Sequence, residues 1–138
     1  MTDSIDRNVV LAGAMLCTLI AVPAAVVQGI LADDDAGTDQ SGWVYVALVA
    51  IVVAYLLGGA LAGRQVPTAP FVNGAAATTL AFVAIQTVGT IVRLVRDDGF
   101  PSIAGIVFNA LLAASIGAIG AGWGARRATM GGDGELPG

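Results

Sequence analysis

The sequence predicts an all-α polytopic membrane protein with four transmembrane helices. Two observations carry that expectation. Only 12% of its 138 residues are charged while 57% are hydrophobic. A soluble domain carries about 25% charged residues, so water cannot be the solvent of most of this surface. The apolar residues also gather into four runs, each near the roughly 20 residues that cross a bilayer as a helix; the mean hydropathy of the chain is +0.84. Lipid offers the backbone no hydrogen-bond partner, so each run must satisfy its own backbone as a helix. The ten-residue dyad alternation of barrel strands is missing.

The first run covers residues 9–31. Arg7, the apolar stretch after it and Val22-Pro23-Ala24 outline a signal-peptide cleavage site, but the stretch continues to Leu31, too long for a signal h-region. It therefore reads as a retained helix, with Pro23 expected to kink it. Cys17, the single cysteine, excludes an intrachain disulfide and reads as a small packing side chain. Leu16 before it is not the small residue that lipoprotein processing needs.

A polar, acidic break separates the first run from the second, 43–62. Arg64 and a Pro-containing turn lead to the third, 71–95. Arg-Asp-Asp-Gly-Phe-Pro then precedes the fourth, 102–125. Together these form one domain over residues 1–127. Residues 128–138, rich in Gly and poor in anything to bury, read as a disordered tail.

Arginine placement sets the expected orientation. With the N-terminus inside, Arg7, Arg64, Arg126 and Arg127 are cytoplasmic, against Arg93 and Arg96 outside. Both termini are then cytoplasmic in a multi-pass plasma-membrane protein, with Arg64, Arg126 and Arg127 as headgroup anchors. Trp43 and Trp123 fall near opposite ends of their spans, where interfacial aromatics belong.

The two halves share a pattern. Gly13-Ala14, Thr18-Leu19 and Val22 return as Gly74-Ala75, Thr79-Leu80 and Val83. Ala47-Leu48, Ala50, Gly59, Ala62 and Arg64 return as Ala110-Leu111, Ala113, Gly122, Ala125 and Arg127. Two parallel-repeat hairpins are one reading. Chance matching among Ala, Gly, Val and Leu is the other.

Chemistry-bearing residues are scarce. No run holds Asp, Glu, Lys, Arg or His in its interior, as proton relays and ion pumps require. There is no histidine, and one cysteine cannot build a zinc, haem or iron–sulfur site. The acidic groups Asp33-Asp34-Asp35 and Asp97-Asp98 read as solvated loop residues rather than a cation site. With a net charge of −4 and no basic stripe, nucleic acid is not an expected partner. The expectation is a protein that is not an enzyme and holds no metal or cofactor.

Small residues give the strongest pattern. Ala54, Gly58 and Ala62 fall on one face of the second run, and Gly59 and Gly63 on the adjoining one. In the fourth run Ala110, Ala114, Ala118 and Gly122 lie beside Ala113, Gly117, Ala121 and Ala125. Such stripes let helix backbones approach closely, gaining van der Waals contact where lipid removes the hydrophobic drive. Gly58, Gly59, Gly63, Gly117, Ala121 and Gly122 are the candidate packing residues. Their contacts lie either within the bundle or with a second copy or another membrane protein. Polar groups within the runs (Gln28, Thr78, Thr79, Gln86, Thr87, Asn109 and Ser115) call for interhelical hydrogen bonds. Asn73, Gln86 and Asn109, at different depths, form a polar path if they converge.

Gly58-Gly59-Ala60-Leu61-Ala62-Gly63-Arg64, a short loop, Asn73-Gly74-Ala75, and the Gly-rich close of the fourth run resemble the YrzE-like small four-helix membrane proteins of Gram-positive bacteria. The likeness covers about the central third of the chain and, loosely, its last span. Asn73 and the acidic first loop depart from the pattern. The resemblance implies a plasma-membrane protein with no assigned reaction. The expected function is therefore contact: a homo-oligomer or accessory subunit in a membrane complex. The alternative is a small channel or transporter for a neutral solute.

Overall fold

A computed structural model describes residues 5–33, 41–97 and 99–131, the side chains at 28–33, 41, 43 and 44 apart. Four helices follow one another: α1 (Arg7–Asp33), α2 (Ser41–Gln65), α3 (Pro70–Val95) and α4 (Ile103–Gly131). All four are long and apolar enough to cross a membrane. Their outer surfaces carry large apolar side chains, among them Met15, Leu19, Val49, Val88, Leu111 and Ile119. In water such a surface would drive aggregation; against lipid tails it carries no penalty.

Several helix ends have a local cause. Asp6 caps α1: its Oδ1 accepts the backbone N–H groups of Asn8 at 2.9 Å and Val9 at 3.3 Å, filling two of the bonds a helix start lacks. Helix α1 continues unbroken through Pro23. Pro70 opens α3 from the first-turn region, where its missing N–H costs nothing. Beyond α3, Asp97 and Gly99 take positive φ, 63° and 75°, and turn the chain toward α4.

Helix α4 runs farther than the sequence suggests. The expected tail at 128–138 starts too early, because residues 128–131 continue the helix. Ala128, Thr129 and Met130 do not break a helix already under way, and the Thr129 hydroxyl donates to the Arg126 carbonyl at 2.9 Å. The rest of that tail, and the acidic loop from Asp34 to Gln40, lie outside the described residues.

The hairpin α1–α2 lies beside the hairpin α3–α4. Helix α1 touches α2 and α3, α4 touches α2 and α3, and α1 and α4 occupy opposite corners. One end of the bundle carries the start of α1, the α2–α3 turn and the end of α4. The other carries the two hairpin connections. Positions matched in sequence make matched contacts. Gly13 abuts Gly58 in the first hairpin, and Gly74 abuts Ala121, its counterpart, in the second. Cys17 and Thr78, also counterparts, are both fully buried.

Candidate functional site

The terminal end of the bundle is built on glycine. A Cβ at Gly59 would fall on the Gly117 carbonyl, one at Gly63 on the Ala121 carbonyl, one at Gly120 on the Leu56 carbonyl and one at Gly124 on the Ala60 carbonyl. Helices α2 and α4 thus interlock in both directions. At each point the hydrogen that replaces a side chain faces a carbonyl oxygen, a contact worth about 0.5–1 kcal/mol. Gly58 faces α1 instead: a Cβ there would lie 2.8 Å from the Gly13 carbonyl and 2.9 Å from the Cys17 Cβ. Gly117 also receives the Thr78 side chain of α3. Gly122 is half-buried, and a Cβ on it would lie 2.8 Å from the Phe71 ring.

The six candidate packing residues therefore all face another helix of the same chain. Gly13, Gly74, Gly120 and Gly124 take part equally but were not singled out from the sequence. Gly120 and Gly124 are four apart and carry the same signal as Gly59 and Gly63. In α4, however, nearly every position from Ala113 to Ala125 is small, so the pattern does not choose a face.

Asn73 locks the same end. It is fully buried; its Oδ1 accepts the Asp6 backbone N–H at 2.9 Å and its Nδ2 donates to the Ala69 carbonyl at 2.9 Å. One side chain thereby joins the start of α1 to the α2–α3 turn. The capping role of Asp6 was also missed, although an Asp just ahead of an apolar run is a helix-start signal.

The other polar side chains differ from expectation. Rather than bridging helices, most turn back onto the carbonyl four residues earlier in their own helix. Thr18 donates to Ala14, Thr78 to Gly74, Thr87 to Val83, Asn109 to Gly105 and Ser115 to Leu111, at 2.7–3.0 Å. In an apolar medium a hydroxyl satisfied this way needs no neighbour. The side chain of Gln28 lies outside the described residues.

The hairpin end is looser. A cavity of about 340 Å³ opens between all four helices, lined by residues that include Tyr55, Phe82, Ile85, Gln86 and Asn109. A second, of about 330 Å³, lies between α3 and α4 and shares Phe82 and Gln86 with the first. Gln86 and Asn109 thus meet one space, while Asn73 is sealed in the packing at the opposite end. The three do not form one path through the chain.

The basic anchors sit at the terminal end. Arg64, Arg126 and Arg127 are exposed, and the Arg127 guanidinium lies 4.0 Å from the centre of the Trp123 ring. A cation over an indole face is a favourable pair, and both side chains suit a headgroup layer. Among the described residues no group of three His, Cys, Asp or Glu side chains is placed to hold a metal ion. No family model, curated protein or solved structure matches this chain.

Proposed function

We propose that this protein is a non-enzymatic, multi-pass plasma-membrane protein that works through helix–helix contact, as a homo-oligomer or as an accessory subunit of a larger membrane complex. Both termini face the cytoplasm in this reading, with Arg64, Arg126 and Arg127 at the inner headgroups. The observation that carries it is the division of small residues on α4. Ala113, Gly117 and Ala121 are buried inside the chain, while the parallel row Ala110, Ala114 and Ala118 stays half-exposed beside them. A row of small residues left at the rim of a bundle offers another helix a close approach. The resemblance to YrzE-like proteins is compatible with this role.

The test is the mass of the full chain extracted in mild detergent, with and without Ala114→Leu and Ala118→Leu together. The expected result is an assembly larger than one chain that the double variant reduces to the monomer. A wild-type chain that runs as a lone monomer, with no protein bound, contradicts the proposal. Gly59→Leu is unsuited to this purpose because Gly59 packs within the chain.

A second reading is a channel or transporter for a neutral solute, assembled from several copies. The cavity shared by Gln86 and Asn109 favours it. The sealed position of Asn73 weighs against a route through a single copy.

A further inference from the structure

We infer that the hairpin end holds a binding site for an uncharged amphiphile drawn from the bilayer, one with a hydroxyl or carbonyl head on an apolar body. This goes beyond the contact role above and does not depend on a protein partner.

Three observations carry it. The first is an unmet hydrogen-bonding demand. Unlike Thr18, Thr78, Thr87, Asn109 and Ser115, neither the Tyr55 hydroxyl nor the Gln86 carboxamide makes a hydrogen bond among the described residues. Tyr55 is only 8% exposed, yet its oxygen is not sealed in the packing, since among the described residues no buried side-chain oxygen or nitrogen lacks a partner. Polar groups in an apolar interior seek a partner, and here the open direction is the cavity that both residues line. Asn109 lines it too; its Nδ2 is engaged by the Gly105 carbonyl, which leaves Oδ1 as an acceptor.

The second observation is the character of the walls. Beyond those three polar groups they are aliphatic or aromatic, including Leu48, Ile51, Phe82, Ile85 and Ile116, with no ionisable carboxyl or amine. A charged head placed there would lose its hydration without a counter-ion, which excludes fatty-acid carboxylates, phospholipid headgroups and metal ions. A few polar groups in a mostly apolar concavity of this size is the general form of a small-molecule site.

The third is a route. The second cavity, between α3 and α4, shares Phe82 and Gln86 with the central one and is bordered by the exposed residues Val83, Thr87 and Ile91. Those residues lie on the outer surface of membrane-spanning helices. A ligand dissolved in the bilayer reaches Gln86 from the side without crossing water.

The probe is dodecanol carrying an alkyl diazirine, photolysed with the full-length protein in phosphatidylcholine vesicles. The matched diazirine alkane and diazirine dodecanoic acid serve as comparisons. Labelling is located by peptide mass spectrometry. The expected result is alcohol labelling concentrated at 82–91 and 106–116, above that of the alkane or the acid at equal concentration. Gln86→Leu, which keeps the bulk and removes the amide, lowers it about three- to tenfold, the range one neutral hydrogen bond provides. Tyr55→Phe removes only the hydroxyl and gives a second, independent loss in a variant that leaves the packing intact. Equal labelling by alcohol and alkane, or labelling unchanged in both variants, overturns the proposal.

Discussion

Helix α3 contains the contrast that organises the molecule. Its buried residues are Asn73, Gly74, Ala77, Thr78, Ala81 and Phe82, all in its first half. From Val83 to Val95 every residue is at least partly exposed. Helix α4, which runs the other way, mirrors this: its buried residues begin at Ala113 and continue to Ala125. The glycines divide along the same line. A side chain would collide at Gly13, Gly58, Gly59, Gly63, Gly74, Gly117, Gly120 and Gly124. At Gly42, Gly89 and Gly99, toward the hairpin end, it would meet nothing, as at Gly131, the last residue of α4. One membrane domain thus has a backbone-to-backbone end and an end where cavities lined by Phe82, Ile85, Ile106 and Leu112 open between the helices. Without a hydrophobic drive between helices in lipid, close fit carries the association, so the terminal end should carry most of the stability. The open end holds the cavities on which the ligand proposal rests.

The strongest way to break this contrast is to enlarge a residue at the interlock. Gly117→Leu would drive a side chain into Thr78 and the Gly74 backbone, and no rotamer avoids a clash at Cβ. The expected loss is about 3 kcal/mol or more, at the upper end for overpacking, read as unfolding at much lower SDS in mixed micelles. Next comes Asn73→Ala, which leaves the Asp6 N–H without its acceptor, while the Ala69 carbonyl keeps the backbone N–H of residue 73. Losing that bond together with the volume of a fully buried side chain costs about 1–3 kcal/mol, and the same titration measures it. Asp6→Ala removes the α1 cap and should cost about 1 kcal/mol, with amide exchange rising at Asn8 and Val9 and unchanged near Gln86.

How much of this was legible in the sequence follows from the same physics. The four spans are set by composition over some 20 residues and are read directly. The packing residues are another matter. Gly59 and Gly63 stand out because Leu57, Leu61 and Val53 surround them. Gly120 and Gly124 do not, because Ala118, Ala121 and Gly122 blur the period. Asn73 and Asp6 are 67 positions apart, and no local pattern announces a bond between a side chain and a backbone N–H at that separation. The cavity is a matter of what fails to meet, since Tyr55, Gln86 and Asn109 share it only through the relative rotation of three helices.

The central claim, a close-packed end and an open end within one bundle, is tested most directly by the same small change made at both. Gly59→Ala and Gly89→Ala each add one methyl group to a helical glycine, and both gain the helix propensity of alanine, about 0.5–1 kcal/mol. At Gly89 nothing opposes that gain, so the variant should equal or exceed the wild type in unfolding free energy. At Gly59 the methyl meets the Gly117 carbonyl, and a net loss of about 1–3 kcal/mol is expected. Equal effects at the two positions, or a greater loss at Gly89, would contradict the account.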